Sequence, residues 1–109
     1  MSITDQQTFS ATAAVPAATP TVVDVQLEGS TNWTIVLRNT GANPVTALTI
    51  AVAPLGTSFE APASISTGIP LAAATALPAI VGSNEPASVA RLTITSTLGT
   101  TVSVEGLGK

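Results

Sequence analysis

The side chains that could do chemistry in this chain are six carboxylates, and no histidine, cysteine or tyrosine accompanies them. Zinc, haem and iron–sulfur centres need imidazole or thiolate ligands, so we expect no such cofactor. A Ser-His-Asp or Cys-His relay cannot form because its base is missing. The composition therefore predicts that the chain is not an enzyme and that it carries no cofactor.

The carboxylates are also spaced unsuitably for a catalytic pair or a metal site. Asp24 and Glu28 lie on the outward face of one predicted strand, with roughly 13 Å between their Cα atoms at the rise of a strand. Glu60, Glu85 and Glu105 lie beside predicted turns or at a strand end. The sequence also lacks the run of alternating aspartates that would indicate a calcium site. We therefore interpret these side chains as solvated surface charges and assign no catalytic, cofactor-binding or metal-ligating residue.

Trp33 is the chain's one tryptophan and has two possible roles. It could stack against a sugar ring, as aromatic side chains do in carbohydrate-binding proteins. It also shares the apolar face of a predicted strand with Ile35 and Leu37. A sugar-binding surface normally presents several aromatic residues, and this chain has three in total. We therefore expect Trp33 to be an anchor of the core.

The low content of charge is the most informative feature of the composition. Charged residues make up 8% of the chain, against about 25% in a typical soluble domain. Three basic residues and a net charge of −3 argue against nucleic-acid binding, and we expect Arg38 and Arg91 to pair with carboxylates across strands. Because interfaces are depleted of charge, this composition favours a surface that meets other proteins. The alternative is that threonine and serine hydroxyls keep a free monomer soluble.

The elements that carry these side chains are predicted to be strands. Apolar and polar residues alternate over residues 23–28, 33–38 and 47–52, and again in a closing hairpin over residues 90–105. Asparagine, glycine and proline in residues 39–44 predict a tight turn. Six to eight short strands rich in Val, Ile and Thr predict an all-β fold, an antiparallel immunoglobulin-like β-sandwich.

The middle of the chain is less regular. Pro54-Leu55-Gly56 predicts a turn, and Phe59 and Ile65 suggest short strands. The alanine-rich residues 71–77 fit a one-turn helix after Pro70, and a strand over residues 74–81 fits equally well. The strand order in residues 55–85 therefore stays open at this point.

Residues 1–20 differ in composition from the rest and are interpreted as an extended N-terminal arm. They are rich in Ala, Thr, Gln and Ser, and they end at Pro16 and Pro20. Such a segment cannot bury enough apolar surface to offset its ordering entropy alone. We therefore divide the chain into an arm, residues 1–20, and a β-sandwich domain, residues 21–109. The sequence shows no signal peptide and no apolar run long enough for a membrane span, so we expect no membrane partner.

Two stretches resemble known domains. The run from Trp33 to Gly41, followed by Asn43-Pro44-Val45, resembles a strand and turn common in bacterial and viral immunoglobulin-like domains. Residues 92–104 are similar to the final hairpin of such domains. An arm joined to a small cysteine-free sandwich rich in Ala and Thr is also similar to the decoration (cement) proteins of tailed bacteriophage heads.

These resemblances imply a structural virion protein, either a capsid decoration protein or a minor capsid protein, that binds and stabilises a shell through its sandwich and its N-terminal arm. The expected partners are the major capsid protein or other virion subunits, and the chain itself is expected to form homo-oligomers. Its expected location is the virion, assembled in the host cytoplasm. The alternative is an immunoglobulin-like adhesion or carbohydrate-binding module of a surface assembly.

Overall fold

The computed structural model describes residues 7–53, 58–83 and 87–108, and within these ranges the fold is all-β. The described residues form eight strands, which are β1 (Gln7–Val15), β2 (Thr21–Ser30), β3 (Trp33–Asn39), β4 (Ala47–Ala53), β5 (Ala63–Ser64), β6 (Ile80–Gly82), β7 (Ala87–Thr95) and β8 (Thr100–Gly108). The described residues contain no helix with the length and apolar character of a membrane span.

The strands form two four-stranded antiparallel sheets that pack against each other as a β-sandwich. The first sheet has the order β1-β8-β3-β6, and the second has the order β2-β7-β4-β5. The strands predicted over residues 23–28, 33–38 and 47–52 occur as parts of β2, β3 and β4. Residues 90–105 also form two strands, but the predicted closing hairpin is wrong, because β7 belongs to the second sheet and β8 to the first, so the chain crosses between the sheets there. The predicted antiparallel sandwich is therefore confirmed.

Period-two alternation determines the core. In β3, Trp33, Ile35 and Leu37 are buried, and the residues between them are not. In β2, Val25 and Leu27 are fully buried and face the first sheet across the sandwich. Because one face of each sheet is apolar, closing the sandwich removes both faces from water. Each Å² of apolar surface buried in this way stabilises the fold by roughly 25 cal/mol.

The turn predicted over residues 39–44 is closed by a buried polar side chain. The Asn39 amide donates to the carbonyls of Asn43 and Leu71, at 2.7 and 3.0 Å. Its oxygen accepts from the Gly41 N–H at 3.1 Å and the Thr100 hydroxyl at 2.8 Å. One side chain thereby joins β3 to three other segments.

The middle of the chain consists of short strands and turns. The sequence is compatible there with a one-turn helix over residues 71–77 or a strand over residues 74–81. Residues 71–77 form a turn with isolated bridges at Leu71 and Ala76, so the possible one-turn helix after Pro70 is wrong. The strand of this region is β6, which begins at Ile80 and pairs with β3. Ile65 follows the two-residue β5, and the turn predicted at residues 54–56 lies outside the described residues.

Part of the segment predicted to be an arm is a strand of the first sheet. Residues 7–15 form β1, which pairs with β8 in a continuous register from Gln7↔Gly108 to Val15↔Thr100. Residues 7–15 therefore lie on the chain's own domain, as a strand of the sandwich and not as an arm outside it. Residues 1–6 of the predicted arm lie outside the described residues.

Candidate functional site

The edge of β1 is the candidate functional site. β1 is the terminal strand of its sheet, so one of its edges faces β8 and no described strand covers the other. Its inward side chains include Phe9 and Val15, which pack against the core, whereas Thr8, Ser10 and Thr12 are exposed. An uncovered edge offers unpaired backbone N–H and C=O groups, which can bind another strand.

The other three edges of the sandwich have features that hinder such pairing. β5 has two residues and β6 has three, so neither provides a long template. β2 is longer, but its register shifts between Gln26 and Ser30 and it carries Asp24 and Glu28. Short strands, bulges and charges are the common devices that prevent edge-to-edge association.

β1 has none of these devices. It is nine residues long, its register is unbroken, and residues 7–15 contain no charge and no proline. At the rise of a strand this edge extends for about 30 Å. Among the edges of the described structure it is the one best suited to pair with another chain.

The connection between β1 and β2 crosses from one sheet to the other in five residues, 16–20. Ala18 has φ of 56°, a left-handed conformation that is unfavourable for a residue with a β-carbon. Its N–H donates to the Ser96 carbonyl at 2.8 Å, and the Thr19 N–H donates to the Pro16 carbonyl at 3.3 Å. Hydrogen bonds therefore hold a strained connection closed.

Arg91 forms the predicted cross-strand ion pair. Its Nε and Nη2 donate to the two carboxylate oxygens of Asp24 at 2.8 and 3.1 Å. The guanidinium carbon lies 4.1 Å from the centroid of the Phe59 ring, at a distance typical of a cation–π contact. The hydrogen bond that Arg91 donates to Asp24 raises the pKa of Arg91. The three side chains satisfy one another on the outer face of the second sheet.

The remaining charges are dispersed. Glu28 belongs to the second sheet and Glu105 belongs to the first, whereas Glu85 lies outside the described residues. The described part of the chain brings together no cluster of three carboxylates that could hold a metal ion. It also has no carboxylate within ion-pair distance of Arg38, so the pairing predicted for Arg38 is not present among these residues.

All three aromatic residues lie in the described part of the chain, and all three are engaged. Trp33 is 4% exposed, as expected for a core anchor, and its indole lies where a β-carbon at Gly82 would collide with it. Phe9 packs against the core, and Phe59 is covered by Arg91. At 4% exposure Trp33 offers almost no open ring surface, and Phe9 and Phe59 are partly buried, so the described residues present no group of open aromatic rings.

The outer face of the first sheet carries a small apolar patch. Thr34 lies opposite Val81 on one side and Leu107 on the other, and these two side chains are 66% and 40% exposed. A shallow groove of about 200 Å³ lies beside them. The groove contains no charged residue, and its polar lining consists of Asn32, Thr34 and Ser83.

Sequence reasoning did not identify β1 as a strand of the sheet, although the signal was present. Phe9, Ala11, Ala13 and Val15 alternate with Ser10, Thr12 and Ala14. The alternation is weak because two of the four inward residues are alanines, which have low strand propensity. The residues of the site are therefore defined by pairing with β8 rather than by chemical type.

Comparisons with known proteins support the fold. No protein-family profile and no curated protein matches the sequence. A similar solved structure is chitosan-binding module 1 from a chitosanase/glucanase of Paenibacillus sp. IK-5, at 16% identity and a TM-score of 0.55, covering 90% of this chain and 76% of that one. Another is a structure of Bacillus endospore appendages, described as disulfide-linked pili, at 13% identity and a TM-score of 0.47, covering 95% and 86%. The first likeness is to a β-sandwich module, in agreement with the fold described above.

Proposed function

We propose that this chain is a non-catalytic structural subunit of a surface assembly, and that a neighbouring protein subunit binds along the β1 edge. The contrast among the four sheet edges carries this proposal. Three edges are short or are bulged and charged, whereas β1 is long, regular and uncharged. Backbone hydrogen bonds to such an edge supply affinity without any specialised side chain.

The composition supports the same function. A surface with few charges lowers the cost of desolvation when subunits pack together, because charged groups lose most on leaving water. A single strand-to-strand contact is modest. Repetition of that contact over many copies in an assembly converts modest affinity into firm retention.

In its more specific form, the proposal makes the chain a decoration or minor capsid protein of a phage virion. The major capsid protein would then be the partner, and the virion would be the location. The support for this form is the resemblance of the sequence to phage decoration proteins, together with the open β1 edge.

Density-gradient sedimentation of particles from the native source tests the proposal. We expect the chain to sediment with the particles, at a constant ratio to the principal shell protein measured by quantitative mass spectrometry. A chain found only as free protein at the top of the gradient would contradict the proposal.

Carbohydrate binding is the competing function, and the solved chitosan-binding module shares the fold alone. Trp33 is buried, and Phe9 and Phe59 are partly buried, which argues against a stacking platform of several open rings. Isothermal titration of the purified chain with chitosan oligosaccharides should therefore show no binding. Saturable binding in the micromolar range, with no particle association, would favour the competing function instead.

A further inference from the structure

We propose that β1 is an exchangeable strand: in a dimer, the β1 of each copy leaves its own β8 and pairs with the β8 of the second copy. This inference rests on the proposed function for its biological role, because it names a second copy of the chain as a partner. The physical argument for exchange depends on the β1–β8 pairing and on the connection that follows it.

The contacts that β1 would make with β8 of a second copy are the same contacts that it makes with its own β8. β1 and β8 match over nine register pairs, and Phe9 lies opposite Gly106. A β-carbon at Gly106 would lie 2.6 Å from Val25 Cγ1, so glycine permits the close packing of the sheets beside β1. An exchanged dimer keeps every one of these contacts, because the same residues meet in the same register.

The connection between β1 and β2 is the part that differs between the closed chain and the exchanged dimer. In the closed chain, Ala18 holds the left-handed φ of 56° within residues 16–20. In the exchanged dimer this hinge opens, and Pro16 and Pro20 favour an extended backbone there. Short hinge loops under strain favour exchange, because opening them releases the strain.

The position of β1 also makes exchange accessible. It is the first described strand and an edge strand, so it can leave without separating any other pair of strands. β7 and β8, by contrast, each lie between two neighbours in their sheets. The cost of opening is therefore confined to β1 and its hinge.

Disulfide trapping tests exchange directly, since the chain has no native cysteine. Thr12 and Ser103 lie opposite each other in the β1–β8 register. Full-length chains carrying either Thr12→Cys or Ser103→Cys are mixed, unfolded and refolded together at high concentration, and mildly oxidised. We expect a disulfide-linked heterodimer that joins the two introduced thiols, identified by peptide mapping.

The matched control uses a pair of strands that exchange of β1 leaves in place. Thr49 and Thr93 lie opposite each other in β4 and β7, and a mixture of Thr49→Cys and Thr93→Cys chains should give only collisional cross-links. Simple edge-to-edge pairing of two β1 strands would keep β8 of the second copy about 9.6 Å away, beyond disulfide reach. A Thr12–Ser103 heterodimer yield no higher than this control would overturn the inference.

Two substitutions of the hinge residue Ala18 should change dimerisation in opposite directions. Ala18→Gly relieves the left-handed strain and should lower the association constant of the dimer about tenfold. Ala18→Pro is incompatible with a positive φ and should raise the exchanged fraction. Ala74 has φ of 60° in a different turn, between β5 and β6, which strand exchange leaves closed, so Ala74→Gly is the control and should leave dimerisation unchanged. An equal effect of Ala18→Gly and Ala74→Gly would overturn the role of the hinge.

The two proposals can fail separately. A chain that sediments with particles but gives no Thr12–Ser103 heterodimer above the control would refute exchange and leave the proposed function standing. A chain that exchanges strands in solution but never sediments with particles would refute the proposed function and leave exchange standing.

Discussion

Asn39 illustrates how a single residue closes one end of the sandwich. It is fully buried, and its amide makes four hydrogen bonds, two as donor and two as acceptor. Its partners belong to the turn that follows β3, to the segment near Leu71, and to β8. A buried amide with this many partners is specific to its position, because an apolar side chain of similar size would leave backbone groups unsatisfied.

We predict that Asn39→Ala lowers the free energy of unfolding by about 3 kcal/mol, because it removes four hydrogen bonds and leaves a cavity. Urea denaturation followed by Trp33 fluorescence measures the change. Asn43→Ala is the matched control, since the Asn43 amide donates one hydrogen bond, to the Gly99 carbonyl at 2.7 Å, and is half-buried. Its loss should cost about 1 kcal/mol. Equal losses for the two variants would contradict the special role of Asn39.

The turn at Asn39 can be predicted from the sequence, but the hydrogen bonds of the Asn39 side chain cannot. Asparagine, glycine and proline in residues 39–44 predict a turn from local conformational preferences alone. The partners Leu71 and Thr100 are distant along the chain. Their contact with Asn39 depends on how the sheets assemble, which no local pattern specifies.

At the scale of elements, strands with large inward residues were predictable and strands with small ones were not. Val, Leu and Ile mark the inward face of β2, β3, β7 and β8, and alternation alone located these strands. β1 alternates too, but through alanines that have low strand propensity. Its assignment required β8 as a partner, a tertiary effect that overrides local preference.

The role of the β1 edge can be tested by adding a charged side chain to it, since the other long edge strand, β2, already carries charges. We predict that Thr12→Lys lowers the amount of chain bound to particles about tenfold, because a charged side chain on an edge opposes pairing with a new strand. Thr12 is exposed, so the free energy of unfolding should change by less than about 0.5 kcal/mol. Quantitative gradient sedimentation measures binding, and urea denaturation measures stability.

The control for this prediction is Thr67→Lys, which makes the same chemical change at an exposed turn between β5 and β6. Both variants change the net charge from −3 to −2, by the addition of one positive charge. If Thr67→Lys weakened particle binding as much as Thr12→Lys does, charge in general rather than the β1 edge would be responsible.

At the scale of the whole molecule, the dispersal of charge determines what kind of association is possible. Arg91 is paired with Asp24, and the described charges belong to both sheets rather than to one patch. A net charge of −3 over 109 residues creates no strong field to steer a partner. Under the proposed function, binding to particles would therefore depend on contact area, backbone pairing and repetition.

This argument predicts that association with particles is insensitive to salt. Raising NaCl from about 0.1 to about 0.5 M shortens the screening length to less than half, which weakens exposed ion pairs but not backbone hydrogen bonds or apolar contacts. We expect the bound fraction to change by less than about twofold across this range, whereas sulfate, which strengthens apolar burial, should increase it. Gradient sedimentation at each salt concentration provides the measurement. Release of most of the chain at the higher NaCl concentration would show that ion pairs hold it, and the uncharged β1 edge would then not be the principal contact.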